Sequence, residues 1–452
     1  MQLLLVLTVF SFATQAQQKE DSLFIRNVYD NALTESPAYE NLRTLCKDIG
    51  ARITGSAEAE MAIYWVKKLL ESYDFDTVYL QEISVPHWER GTKEAAWIIN
   101  ENGDLKKVNV IALGGSIGTN GTLEGEVIAL NGIEDLKAAG KEKISGKIVF
   151  LNKPFNQKQI NTFKAYGACS NQRWSGAKVA SEFGAKAVVI RSLAQSNDDH
   201  PHTGSMDYKM ENKIPAAALS TNDANLLSEW TSEGKVTFRL EMDCRFYDDE
   251  VSYNVIAETK GKDEKVITFG GHLDSWDVGE GAHDDGAGVI HSIEALRILK
   301  ELNYSPNHKL RCVLFMNEEN GNFGGKGYAK WCSDNKEEHI CAIESDRGGF
   351  QPLGYDVVGS DEQLKFVQSF KPIVKEYRLY NFEKGYGGVD IGPLRKYYPN
   401  MLQLGLNPTS QRYFDFHHAE TDVFENVNKR ELELGGASMA TMVYLMDKYL
   451  GK

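Results

Sequence analysis

Lys265-Val-Ile-Thr-Phe269, the run Gly286–Leu302 and Leu310-Arg-Cys-Val-Leu-Phe-Met316 decide how this chain folds. The first and third are short, nearly continuous apolar runs of the length of buried strands. The second spaces Val289, Ile293, Leu296 and Leu299 at threes and fours, as a helix with an apolar face does. The alternation continues: Gly327 to Ser333 opens another helix, and Ile340-Cys-Ala-Ile343 reads as another strand. Strand, helix and strand in turn predict an α/β fold with a mostly parallel central sheet and helices on both faces.

In open sheets of this kind, ligands collect at the carboxyl ends of the strands. The first strand here is followed by His272 and Asp274, then by Asp284 and Asp285 at the mouth of the next helix. The second is followed by Glu318 and Glu319, and the third by Glu344 and Asp346. So many anions on one edge repel one another unless cations neutralise them. Near the end of the chain, His417-His418 with Asp422 adds imidazoles. Histidine with carboxylates and no cysteine suits zinc in a catalytic, incompletely filled site. Five ligands, one of them shared, serve two neighbouring metals, and a spare carboxylate beside them can act as general base.

Upstream, residues 21–73 read as helical, with Glu58-Ala-Glu-Met-Ala-Ile-Tyr-Trp-Val-Lys-Lys-Leu-Leu70 amphipathic, and short β runs begin at Thr77. From Gly118 to Asp249 the texture changes to strands, a helix over Ser175–Phe183 and a polar loop from Ser192 to Lys213. This predicts a β-rich unit of residues 118–249 inserted into a larger one made of residues 17–117 and 250–452. The first residues carry an apolar run, Leu3 to Phe12, ending in Thr14-Gln15-Ala16, which reads as an export signal of residues 1–16. The run is too short to span a bilayer, so the mature protein is expected to be periplasmic or extracellular.

The 452 residues exceed one ordinary domain, and 50 basic against 64 acidic side chains leave a net charge of −14. That charge argues against nucleic acid as a partner. Hydrophobic residues at 42% are enough for a sizeable core and exclude a disordered chain. The six cysteines include no C-x-x-C pair, so a thiolate zinc site is unsupported; Cys332 and Cys341 either pair or are simply buried.

The segment Gly270-Gly-His-Leu-Asp-Ser-Trp-Asp-Val-Gly-Glu-Gly-Ala-His-Asp-Asp-Gly-Ala-Gly288 resembles the metal-binding segment of the co-catalytic di-zinc exopeptidases. That clan includes bacterial leucyl aminopeptidases and glutamate carboxypeptidases. Ser275-Trp276-Asp277 is most similar to its plasma glutamate carboxypeptidase, or carboxypeptidase Q, branch. Asn317-Glu-Glu-Asn-Gly321, Glu344-Ser-Asp346, Gly387-Gly-Val-Asp390 and His417-His-Ala-Glu-Thr-Asp422 follow in the family's order. The inserted unit, with Ile214-Pro-Ala-Ala-Ala218, resembles a protease-associated domain.

The resemblance implies two zinc ions per chain, one on His272, Asp284 and Asp346 and the other on Asp284, Glu319 and His418. It implies Glu318 as the general base, Asp274 orienting His272 through its other ring nitrogen, and a cis peptide at Asp284–Asp285. It also implies short peptides with a free terminus as substrates, Asp390 facing them, and a homodimer. Val423 follows Asp422 where the family commonly has threonine, which affects a supporting hydrogen bond rather than a ligand. Two rival readings are a one-zinc glutaminyl cyclase and a non-catalytic receptor-like ectodomain.

His87, His291, His308 and His339 read as structural, and His283 is expected to point away from its neighbour Asp284. His200 and His202 read as surface loop residues. Gly114-Gly-Ser-Ile-Gly118 matches a nucleophile elbow, but Thr119-Asn-Gly121 forbids the helix that such an elbow needs. Gly324-Gly-Lys-Gly327 lacks the phosphate-loop spacing and reads as a flexible turn beside the site.

Overall fold

A computed structural model describes residues 19–451 apart from 208 and 210, so the expected leader lies outside the described residues. No helix among the described residues is long and apolar enough to cross a membrane. The alternating segments assemble into an eight-stranded sheet. Its order is Thr77–Val85, Glu250–Thr259, Lys309–Phe315, Val266–His272, His339–Glu344, Leu402–Pro408, Pro352–Val358 and Asn381–Lys384. The four central strands, from Lys309–Phe315 to Leu402–Pro408, run parallel. Antiparallel pairings extend the sheet on either side of them.

Being covered on both faces is what makes the central strands continuous apolar runs. Cys312, Leu314 and Ile343 join a large core under the helices Ala57–Ser72, Ala287–Glu301 and Lys429–Tyr449. Their neighbours Val313, Phe315 and Ala342 join a smaller core under Phe323–Asp334. The helix Ala287–Glu301 is more deeply set than its one apolar face suggests. Every residue from Ala287 to Leu299 is buried, because Lys429–Tyr449 packs over it. Two of its polar side chains find partners there: Arg297 meets Glu294 at 2.7 Å, and His291 Nδ1 lies 2.9 Å from Ser345 Oγ.

The glycines of Gly324-Gly-Lys-Gly327 do not form a turn but lie within the helix Phe323–Asp334. Close packing requires them: a Cβ on Gly324 would stand 2.2 Å from the Met316 carbonyl oxygen, and one on Gly325 2.5 Å from that of Asp390. All six cysteines are buried and unpaired, Cys332 and Cys341 included.

A second eight-stranded sheet runs Leu105–Val108, Glu94–Ile99, Thr237–Met242, Leu123–Leu130, Ile148–Leu151, Ala187–Arg191, Ala216–Leu219 and Val110–Ala112. Residues 94–112, which local patterning places with the larger unit, therefore hydrogen-bond into this sheet, through pairs such as Ile99 with Thr237 and Val110 with Leu219. The middle of the sheet is parallel and carries helices on both faces, so the unit is itself α/β rather than β-rich. Ser116 is no nucleophile here. Its buried hydroxyl accepts from Ala216 N at 2.9 Å, and no helix follows it.

Ser275-Trp276-Asp277 ties the two sheets together. Trp276 leaves the first sheet's loop and is buried in the core of the second, edge-on to Trp88 at 6.4 Å. It lies against Gly114, where a Cβ would stand 1.9 Å from the indole. Asp277 receives Arg90 through two hydrogen bonds of 2.9 and 2.6 Å. Trp276→Ala is expected to lower stability by about 3–5 kcal/mol, the usual loss for truncating a buried large aromatic. Urea unfolding measures it, and a loss under about 1 kcal/mol would show that the indole is not a tie.

Candidate metal centre

The chain bends so that the residue types gathered from the sequence meet at one edge. His272 is the last residue of its strand, Glu318 and Glu319 follow Lys309–Phe315, and Asp346 follows His339–Glu344. His417 and His418 follow the short helix Tyr413–Phe416 beyond Leu402–Pro408. His272 Nε2 lies 3.2 Å from Asp284 Oδ1 and 3.4 Å from Asp346 Oδ1. His418 Nε2 lies 3.1 Å from Glu319 Oε2 and 3.3 Å from Asp284 Oδ2. Asp284 thus presents one oxygen to each imidazole. His417 Nε2 also faces it, at 3.7 Å, and the His417 and His418 rings stack with centroids 3.5 Å apart.

These separations fit a metal. Two ligand atoms at about 2.0–2.1 Å from a tetrahedral zinc stand roughly 3.3 Å from each other. His272 Nε2, Asp284 Oδ2 and Glu319 Oε1 are buried with no hydrogen-bond partner, a state that a cation relieves. Among the described residues, His272, Asp284 and Asp346 form one group able to hold an ion, and Asp284, His417 and His418 another. A third, Cys332, Glu337 and His339, is already satisfied, because Arg311 grips Glu337 through two hydrogen bonds of 2.6 Å.

The surroundings hold these groups in place. Asp422 Oδ1 accepts from His283 N at 2.7 Å and its Oδ2 from Asp284 N at 3.0 Å, fixing the shared aspartate through its main chain. The Asp284–Asp285 peptide is cis, and Asp285 faces inward, accepting from His272 N at 3.1 Å and Gly288 N at 3.0 Å. His283 points away, accepting from Gly349 N and stacking on Phe350. The contact of Asp274 with the other ring nitrogen of His272 runs through its main chain, not its carboxylate. The partner of His272 Nδ1 is the Asp274 main-chain carbonyl at 2.9 Å, with the nearer carboxylate oxygen at 3.8 Å. That carboxylate instead accepts from the amides of Glu318 and Glu319 at 3.1 and 3.3 Å, aiming both glutamates.

Burial sets the acid–base character of the site. It pushes the Glu318 carboxyl well above the ordinary range, opposed by His272 and reinforced by Asp346 and Asp284. Burial also raises Glu319 far above that range, with Asp284 adding to the effect. Burial opposes protonation of His272, but Asp284 and Asp346 outweigh it and hold its pKa well above the usual imidazole value.

Several site residues carry no local signature. Arg52, fully buried, donates to the carbonyls of Leu273, Glu280 and Gly281 at 2.5, 2.7 and 2.9 Å and clamps the loop that bears Asp274. His202 of the second sheet's unit is buried, not a surface loop residue; its Nδ1 donates to the His417 carbonyl at 2.6 Å. Asp390 is fully buried without a partner, and it is the adjacent Val389 that lines the cleft. The cleft itself holds 680 Å³ and is lined by Asp284, Glu318, Glu319, Asp346, His417 and His418, with Tyr166 and Arg173 from the second unit.

Residues 254–443 match peptidase family M28. The chain is 32% identical over 435 residues to carboxypeptidase Q of Bos taurus, covering 94% of this chain and 88% of that one. The chain belongs to peptidase family M28. A solved M28 peptidase precursor from Shewanella amazonensis superposes with a TM-score of 0.90 at 31% identity, covering 96% of this chain and 98% of that one. A zinc aminopeptidase from Bacillus subtilis shares the fold, with a TM-score of 0.64 at 20% identity over 90% of this chain and 93% of its own. The M28 assignment agrees with the exopeptidase resemblance of the segment Gly270–Gly288.

Proposed function

We propose that this M28 peptidase is a zinc exopeptidase that holds two zinc ions per chain and cuts dipeptides or short peptides with a free terminus. His272, Asp284 and Asp346 hold one ion; Asp284, Glu319 and His418 hold the other. The observation that carries the reading is the shared aspartate, with Oδ1 3.2 Å from His272 and Oδ2 3.3 Å from His418. Bound there, zinc would supply Lewis-acid polarisation of the scissile carbonyl and acidification of a water. Glu318 takes the proton from the attacking water and gives it to the leaving amine as the C–N bond breaks. Its side chain lines the cleft and is not among the proposed ligands, which leaves it free to carry a proton between the two steps. Asp274 keeps Glu318 and Glu319 aimed through their amides. The inserted unit acts as a protease-associated-like domain that closes one side of the cleft. We place the activity in the periplasm or outside the cell, on the strength of the apolar run at residues 3–12.

Hydrolysis of a dipeptide library, before and after chelation, tests this. Turnover is expected to fall to background without metal and to return with two equivalents of zinc, counted by elemental analysis. Turnover that survives chelation would sink the reading, as would a single zinc with cyclisation of an N-terminal glutamine peptide.

A further inference from the structure

Of the five proposed ligands, only His418 takes hydrogen bonds from the second unit among the described residues. His272 is held by Asp285 and the Asp274 carbonyl, Asp284 by Asp422 and Glu319 by Asp274, all within the larger unit. His418 instead faces the segment His202-Thr203-Gly204. Thr203 N donates to the His418 carbonyl at 2.9 Å, and the Thr203 carbonyl stands 3.3 Å from His418 Nδ1. A metal on Nε2 leaves the proton on Nδ1, and Thr203 is placed to receive it. Arg173 Nη1 lies equally near that nitrogen but has only protons to offer. The approach is close enough to require Gly204, where a Cβ would stand 2.6 Å from Nδ1.

His202 completes the pairing one residue away. Its Nδ1 donates to the His417 carbonyl at 2.6 Å, while its Nε2 is buried with no partner. An imidazole only 1% exposed therefore makes a single side-chain hydrogen bond, to the peptide that joins His417 to His418. That peptide leads into His418 at φ +63°, the left-handed region that a residue with a Cβ seldom enters without outside restraint. Adjacent side chains of an extended chain point apart. The left-handed turn puts these two rings on one side, stacked, with His418 Nε2 toward Glu319 and Asp284. The donor itself is firmly seated. His202 N donates to Ser192 Oγ at 2.7 Å, that hydroxyl donates to the Leu219 carbonyl at 2.6 Å, and Thr203 Oγ1 donates to the Ala112 carbonyl at 2.7 Å. The turn at His418 is thus referenced to the ends of three strands of the second sheet, Ala187–Arg191, Ala216–Leu219 and Val110–Ala112.

We infer that His202 is a positioning residue through which the second unit sets the affinity of one zinc ion, that on Asp284, Glu319 and His418, while the ion on His272, Asp284 and Asp346 depends on the larger unit alone. The inference rests on the two-zinc reading above and adds to it an inequality between the two ions.

The test equilibrates the zinc-loaded protein with a graded series of a chelator and counts the zinc retained by elemental analysis. In His202→Leu, which keeps much of the bulk and removes the donor, one ion is expected to be held as before. The other should be held about 10–100-fold more weakly, the usual cost of removing a group that orients a ligand. His202→Asn, whose Nδ2 offers a donor near the place of Nδ1, is expected to regain most of that loss. Circular dichroism checks the fold, and His202→Ala stands in if the leucine is not accommodated. Two backgrounds identify the ion. With Glu319→Gln the His272 ion remains, and adding His202→Leu should leave its affinity unchanged; with Asp346→Asn the His418 ion remains, and His202→Leu should weaken it. Equal weakening of both ions, weakening of neither, or an asparagine variant no better than the leucine one overturns the inference, since each marks a packing role or none. An unaltered protein that holds fewer than two zinc ions refutes the two-zinc reading itself, whereas two ions that respond alike to His202→Leu refute only the role of His202.

Discussion

Glu318→Gln is expected to keep the zinc content of the unaltered protein and to lose about 10²–10⁴-fold in kcat, the range a positioned general base supplies. The substitution keeps the shape of the side chain and removes the site at which the water's proton is held. Because Glu318 is not among the ligand groups around Asp284, metal content by elemental analysis should match that of the unaltered protein. The two measurements together isolate the base. Full turnover with metal retained would refute the assignment, and loss of zinc would recast Glu318 as a ligand.

The second large effect belongs to the shared aspartate. On the proposed two-zinc reading, Asp284→Ala would take a ligand from both ions at once. Changing groups that merely support a ligand already costs 10–100-fold in affinity, so losing the ligand itself should exceed about 100-fold. Dialysis against micromolar zinc followed by elemental analysis should find fewer than two ions per chain, and dipeptide turnover should fall with them. Circular dichroism guards against simple unfolding, since Asp422 would still accept the residue's amide. Two tightly held ions in Asp284→Ala would remove the basis of the co-catalytic centre.

The part of the fold legible in the sequence is the part that local physics encodes. Strand and helix periods around residues 265–316 depend on neighbours within a few positions. The carboxyl-edge rule then turns His272, Glu318, Glu319 and Asp346 into one site without any knowledge of pairing. The strands Glu94–Ile99 and Val110–Ala112 fall outside that reach, because their place is settled by partners at Thr237–Met242 and Ala216–Leu219. Gly324 and Gly325 mislead for a related reason. Their weak helix propensity is local, whereas the tight approach to the Met316 and Asp390 carbonyls that demands them is not.

The same division runs through the site. His272, Asp284 and Glu319 sit in motifs whose spacing is itself the signal. Arg173, His202 and Arg52 are single polar residues in unremarkable contexts and reach the site only through contacts spanning about half of the chain. Arg173 and His418 lie 245 positions apart. Asp274 shows a finer limit: its position in the motif is readable, but whether its carboxylate or its carbonyl meets His272 depends on a turn that only coordinates reveal.

The burial of Trp276 has a bearing on how the protein matures. His272 and Asp274 lie four and two residues before an indole that becomes solvent-shielded only once the other unit has closed around it. Without that anchor the loop would rest on Arg52, which holds the carbonyls of Leu273, Glu280 and Gly281, and on the contacts of His272 with Asp285 and the Asp274 carbonyl. A nick that loosens the second unit is therefore expected to lower the zinc content of the proposed centre while every ligand side chain stays in the sequence.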